Sequence, residues 1–181
     1  NLCNFTTSLP IIMVIGGSSG SVAINKAVRS ALPKLLEDFQ VVHICGTDRV
    51  DNLLLNQKGY AQFEYLKSEL KDILAMADIV ISRAGANAIC ELLALKKPNL
   101  LIPLPAKSSR GDQLLNAASF EAQGYSIVLN EDDLCDSTLV DKVYELYFNR
   151  KQYEESMAQS SQLNAVDKII HLIEDAVINR P

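Results

Sequence analysis

From Ile11 to Leu129 short apolar runs alternate with longer segments of helical spacing, and this alternation limits the fold more than any other property of the sequence. A short run that is apolar throughout must be covered on both faces, which βαβ crossovers around a parallel sheet achieve. The expected strands are Ile11 to Ile15, Gln40 to Cys45, Ala61 to Leu66, Asp78 to Ser82, Asn99 to Pro103 and Tyr125 to Leu129. After the first of them, Ala23, Ala27, Val28, Ala31 and Leu35 recur on one helical face. A helix beginning near Ala86 is expected to stop at Pro98, because proline lacks an N–H and its ring clashes with the preceding turn. Two further helices, about Asp132 to Asn149 and Arg150 to Ile178, are expected to close the chain. The predicted class is α/β, a six-stranded parallel sheet with helices on both faces. One domain is expected over residues 11–181, with residues 1–10 as the remnant of a linker.

The 181 residues and 48% apolar content suffice for a single core, so a disordered chain is not expected. With 17 basic and 22 acidic residues the net charge is -5, and no basic block is present, which argues against nucleic acid as a partner. No apolar run approaches the roughly 18 residues that span a bilayer, and Asn1 to Pro10 lacks the layout of a signal peptide. The expectation is a soluble, intracellular domain. Cys3, Cys45, Cys90 and Cys135 stand far apart, with only His43 and His171 available to complete a metal site, so they read as reduced, mostly buried thiols.

In such sheets ligands sit beyond the carboxyl ends of the strands, which directs attention to three loops. The first, Gly16-Gly17-Ser18-Ser19-Gly20-Ser21, joins a strand to a helix through residues small enough for backbone N–H groups to approach a phosphate. The same composition also serves as a plain tight turn. It is neither GxGxxG nor a P-loop, and Cys45, Gly46 and Thr47 stand where a dinucleotide site wants an acid, which argues against NAD. The second loop, Ser82-Arg83-Ala84-Gly85-Ala86, opens a helix with little side-chain bulk, a second resting place for a diphosphate. Ile89, Leu92 and Leu93 form that helix's buried stripe; Glu91 lies off it, either as an acceptor for ribose hydroxyls or as an ordinary surface glutamate. In the third loop Gln113 and Asn116 are three apart on an opening helix, suited either to sugar hydroxyls or to capping and solvation.

Taken together, Gly16 to Ser21 with Ile24-Asn25, Ser82 to Ala86 with Glu91, and Gly111-Asp112-Gln113 with Asn116-Ala117 closely resemble the MurG family. The resemblance spans Ile11 to about Leu129, and the remaining helices fit the family's C-terminal end. It implies a Rossmann-like domain, the C-terminal half of a GT-B glycosyltransferase. The family moves N-acetylglucosamine from UDP-N-acetylglucosamine to lipid-linked N-acetylmuramyl-pentapeptide in peptidoglycan synthesis. By the same likeness Ser18 contacts the diphosphate, the backbone of Ala86, Asn87 and Ala88 holds phosphate and sugar, and Glu91 binds the uridine ribose. Gln113 meets sugar hydroxyls, with Asn116 beside it. The uracil-reading backbone near Leu66, Lys67 and Ser68 carries one extra residue, which leaves its position open.

The resemblance also points to parts without a counterpart in this sequence. These are the family's N-terminal domain with its acceptor loops, the expected base and the membrane-docking patch, together with a phosphate-contacting arginine ahead of the first strand. The expectation is therefore a hexosyltransferase domain that binds donor but is inactive alone, with no catalytic residue of its own. Acceptor and membrane contact would run through the N-terminal domain, at the cytoplasmic face of the plasma membrane. No Asp-x-Asp triplet is present, so neither metal nor cofactor is expected, and helix N-termini and hydroxyls would meet the leaving group's charge. The rival readings are a stand-alone donor-binding subunit of a split transferase, part of a UDP-N-acetylglucosamine 2-epimerase, and a sugar-nucleotide sensor without chemistry.

Overall fold

The run Ile11–Ile15 becomes a central strand whose side chains divide between two cores. Ile12 and Val14 point into one and Met13 into the other, all buried, as the two-residue period of a strand dictates. The computed structural model describes residues 2, 3, 5, 8–17, 19–108 and 110–160. Its strands are β1 (Ile11–Ile15), β2 (Gln40–Ile44), β3 (Tyr60–Phe63), β4 (Ile79–Ser82), β5 (Asn99–Leu101) and β6 (Ser126–Val128). Its helices are α1 (Val22–Asp38), α2 (Leu70–Met76), α3 (Ala86–Ala94), α4 (Asp112–Ala122) and α5 (Asp136–Ala158). The sheet runs β3-β2-β1-β4-β5-β6 and every pairing is parallel. The order reverses between β1 and β4, so the loops that leave their carboxyl ends diverge and open a crevice.

Helices cover both faces. Ala27, Val28, Ala31 and Leu35 of α1 join Leu139, Val143 and Leu146 of α5 against one face. Ile73 of α2, Ile89, Leu92 and Leu93 of α3, and Ala117 and Phe120 of α4 cover the other. A fully buried Leu or Ile contributes roughly 1.5–3 kcal/mol relative to exposure, which makes these stripes the main source of cohesion.

Several ends differ from expectation for local reasons. Strands β5 and β6 are shorter than the apolar runs around them, although Ile102 and Leu129 still donate to Ser82 and Leu101 across the sheet. β3 begins at Tyr60 rather than Ala61 and ends at Phe63 rather than Leu66. α3 stops at Ala94, before Pro98, because Lys96 adopts φ 52° and the N–H groups of Lys96 and Lys97 turn back to the carbonyls of Leu93 and Leu92. The Lys97 ammonium then caps α2 at the carbonyls of Ala75 and Ala77. The expected break at Arg150 is a correction. α5 runs unbroken through Asn149 and Arg150 to Ala158, since no glycine or proline interrupts it and Arg150 stacks 4.2 Å from the Tyr147 ring centroid. The remainder of the expected final helix, from 161 onward, lies outside the described residues. Cys45 is buried and Cys3 half-buried, but Cys90 and Cys135 are exposed, which corrects the expectation of mostly buried thiols.

A buried polar chain fastens α1 to β2. Asn25 donates through Nδ2 to the Cys45 carbonyl (2.9 Å), which leaves its Oδ1 to accept from His43 Nε2 (3.0 Å). His43 Nδ1 then accepts from the Tyr60 hydroxyl (2.8 Å), and the imidazole is fixed in the neutral Nε2–H form. Burial, reinforced by the nearby Arg29 charge, lowers the His43 pKa from the ordinary 6.5 to about 3. The unfolded chain therefore takes up this proton first as pH falls. Stability is expected to hold above pH 6.5 and to decline below it toward pH 3, at about 1.4 kcal/mol per unit from this one group. Urea melts at pH 7 and pH 5 should differ by about 2 kcal/mol from His43 alone. His43→Gln should lower stability at pH 7 and flatten the slope, whereas an unchanged slope would remove His43 as its source.

Candidate active site

At the β1–β4 switch point the three loops singled out in the sequence line one crevice of about 320 Å³. Gly16, Gly17, Ser19 and Gly20 come from the first, Ser82, Arg83, Gly85 and Ala88 from the second, and Leu104 and Gln113 from the third. Larger depressions lie beside the β3 edge, at about 580 Å³, and between α1 and the β2–β3 connection, at about 660 Å³. Neither brings together the N-terminal ends of two α-helices, which the smaller crevice does, so it is the better anion site.

The first loop is fixed by backbone packing. Gly20 donates to the Gly17 carbonyl (3.0 Å) and takes φ 71°, while Gly46 at the end of β2 takes φ 92°. The two meet almost atom to atom: a Cβ on Gly20 would lie 2.0 Å from the Cys45 oxygen, and one on Gly46 would lie 2.6 Å from the Ser19 oxygen. This contact occupies the end of β2, where a dinucleotide site would place an acidic side chain. Ser21 caps α1 by accepting from the Ile24 N–H at 3.3 Å, and the Asn25 amide ties the same turn to Cys45.

The second loop brings the start of α3 to the crevice with no side chain over it. Gly85 is the N-cap without a side-chain bond, and the N–H groups of Ala86, Asn87 and Ala88 have no protein partner among the described residues. Ala86 and Asn87 are exposed and Ala88 is half-buried. Such a terminus carries about half a positive charge and presents its donors to whatever anion arrives. Among the described residues, Arg83 is the single charged one that lines the crevice.

The other expected site residues are distributed unevenly. Ser18 lies outside the described residues, although its neighbours Gly17 and Ser19 line the crevice. Glu91 is exposed on α3, three residues after Ala88, and does not itself line the crevice; its side chain makes no hydrogen bond or ion pair among the described residues. Gln113 reaches the crevice, but its Oε1 already accepts from the Leu104 N–H (3.1 Å), which leaves Nε2 to donate to a ligand. Asn116 is drawn into structure: its Nδ2 donates to the Ala84 carbonyl (3.0 Å) and joins α4 to the second loop.

Sequence reasoning gave no role to Arg83, Gly46 or Glu131. The one sequence signal for Arg83 is its long charged side chain among the small residues Ser82 to Ala86. Nothing in the spacing connects it to Glu131, 48 positions away.

The sequence matches the glycosyltransferase family 28 C-terminal domain over residues 11–173. A UDP-N-acetylglucosamine--N-acetylmuramyl-(pentapeptide) pyrophosphoryl-undecaprenol N-acetylglucosamine transferase of Lachnospira eligens is 59% identical over 175 residues, 97% of this chain and 49% of the relative. The chain thus spans about half the length of the curated relatives it matches. Among solved structures, MurG of Acinetobacter baumannii superposes with a TM-score of 0.72 at 23% identity, over 94% of this chain and 51% of that one. The calicheamicin glycosyltransferase CalG4 gives 0.69 at 15%, over 96% and 43%. At these identities the two structures establish the fold, one domain of the GT-B glycosyltransferase architecture.

Proposed function

Because this chain belongs to the glycosyltransferase family 28 C-terminal domains, as its MurG-like motifs indicated, we propose that it binds UDP-N-acetylglucosamine as the sugar donor of an inverting hexosyltransferase. The acceptor in this reading is lipid-linked N-acetylmuramyl-pentapeptide, presented by a second domain of the kind the longer relatives have room for. That domain would also make the membrane contact, at the cytoplasmic face. No helix among the described residues is long and apolar enough to cross a membrane. The domain reading runs from Ile11 onward, with the preceding segment as a linker.

The observation that carries the proposal is the convergence of three separated motifs on one crevice between the N-termini of α1 and α3. The diphosphate rests on the N–H groups of the glycine loop, with Ser18, and of Ala86, Asn87 and Ala88. As the sugar's anomeric carbon is displaced, negative charge grows on the departing UDP. Donors already aimed at it stabilise that charge without reorganisation. Glu91 takes the ribose hydroxyls. Gln113 donates to the sugar, and Asn116 supports it through its tie to Ala84. Among the described residues the crevice is lined by small or apolar residues, Arg83 and Gln113, and in this reading the diphosphate is held by N–H groups and one guanidinium.

Calorimetry with UDP and UDP-N-acetylglucosamine, with and without chelator, tests the reading. Both ligands are expected to bind, equally well in either condition; binding abolished by chelation would overturn the metal-free site, and no binding at all would overturn the donor site. Gln113→Ala should weaken the sugar nucleotide more than UDP. The loss is several-fold at most, since a hydrogen bond between neutral groups is worth about 0.5–1.5 kcal/mol. Equal weakening of both would remove Gln113 from the sugar subsite.

A further inference from the structure

Arg83 is buried at the crevice yet serves four partners on three other segments. Its Nη1 donates to the carbonyls of Ile102 (3.0 Å) and Pro103 (3.2 Å) beyond β5. Its Nη2 donates to the Ser21 hydroxyl (2.6 Å), the N-cap of α1, and to the Glu131 carboxylate in the short turn after β6. The side chains of Arg83 and Glu131 are 9% and 21% exposed, so the pair is largely shielded from solvent screening. Glu131 does not line the crevice. It lines a separate groove with Lys26, Leu134 and Cys135, which Arg83 does not line.

We propose that Arg83 and Glu131 form a positioning pair for the anion site: Arg83 holds the first turn of α1 and the start of α3 in one orientation, and Glu131 sets how much of its positive charge a bound diphosphate experiences. The guanidinium suits this role because its planar fork serves several oxygens at fixed angles, which an ammonium cannot do. Its bond to Ser21 acts on the residue that caps α1, and its backbone leads directly into Gly85 and Ala86. Movement of Arg83 would therefore displace both sets of N–H donors together. Glu131 neutralises the cation from behind. Loss of its charge should make the crevice more attractive to anions even while it loosens the fold.

This inference rests on the donor-site reading, and the test separates the two. Affinities for UDP and for inorganic pyrophosphate would be measured on the wild-type domain, Arg83→Gln, Arg83→Lys and Glu131→Gln, together with melting temperatures. Arg83→Gln is expected to weaken both ligands about threefold to tenfold. Arg83→Lys should recover only part of this, because charge returns without the fork. Glu131→Gln is expected to tighten both ligands about twofold to fivefold while lowering the melting temperature. A purely structural role predicts the opposite sign for Glu131→Gln, with affinity falling or unchanged as stability falls, and that result would overturn the pair. Should Arg83→Gln fail to fold, the sign at Glu131→Gln decides alone. Pyrophosphate binding without preference for UDP would remove the nucleotide reading and leave the pair standing. UDP binding insensitive to all three substitutions would do the reverse. No binding of either ligand to the wild type would overturn both.

Discussion

Gly20→Ala is expected to lower the melting temperature of the domain by about 8–16 °C and to abolish UDP binding at concentrations that saturate the wild type. Two costs add. Alanine at φ 71° pays about 1–2 kcal/mol for a left-handed backbone. Its Cβ would also lie 2.0 Å from the Cys45 oxygen and 2.9 Å from the Gly46 Cα, both backbone atoms that no rotamer change can move. The loop must lift away from β2, giving a total of about 4 kcal/mol, the range reserved for overpacking and strain. At about 2–4 °C per kcal/mol for a domain of this size, the melting shift follows. Affinity falls with it, because the lifted loop carries the Gly16–Ser21 donors out of line with those of α3. Gly17→Ala is the control. Its φ is 90°, but its Cβ would meet nothing within 4 Å, so only the conformational cost applies. Thermal melts of both variants check the argument, and equal, small shifts would show that the approach of Gly20 to Gly46 is not what fixes the loop.

Glu91→Ala is expected to separate affinity from stability, weakening UDP at least tenfold while the melting temperature of the free domain stays within a degree or two. Glu91 is exposed, and its side chain has no partner among the described residues, so truncation removes little that holds the fold together. It is not among the residues that line the crevice, but it follows Ala88, which is, by three residues, so the two share one side of α3. Hydrogen bonds from neutral hydroxyls to a charged acceptor are worth about 1.5–3 kcal/mol each, reduced by exchange with water. A tenfold loss, roughly 1.4 kcal/mol, is therefore a lower expectation. Glu91→Gln keeps the shape and one acceptor and should fall between. A surface glutamate that only favours the helix dipole gives the reverse pattern, a small stability loss with unchanged UDP affinity. Calorimetry and melts on both variants decide between them.

The candidate site was legible in the sequence to the extent that its chemistry resides in the backbone. A loop can present N–H groups only where side chains are small, and small residues at strand-to-helix junctions show in the sequence as Gly16 to Ser21 and Gly85-Ala86. What side chains do there was not legible. Gln113 and Asn116 looked equivalent, three apart on one helix, yet one reaches the crevice with an amide N–H that has no partner among the described residues and the other is bound to the Ala84 carbonyl. Arg83 could be read as a loop cation, but four partners drawn from residues 21, 102, 103 and 131 make it a clamp.

Legible in the residues alone were the strand positions to within a few residues, the parallel α/β class, the buried stripes of α1 and α3, and the three loops that border the crevice. Each of these depends on periodicity or on a local backbone requirement, and both are written in consecutive residues. Tertiary structure alone decided the rest. The last helix meets no local breaker at Arg150, but its anchoring there by Tyr153, one turn further on and packed against both cores, is a contact no local signal announces. Gly46 is required by the approach of the first loop to the end of β2, where Gly20 lies against it from 26 positions away in the chain. His43, which the sequence offered only as a possible metal ligand, acquired a fixed tautomer from Asn25 and Tyr60 and a depressed pKa from burial and Arg29. Long-range partners of this kind are selected by the sheet order, which brings β1 and β4 side by side and decides which residues share the space beyond their ends.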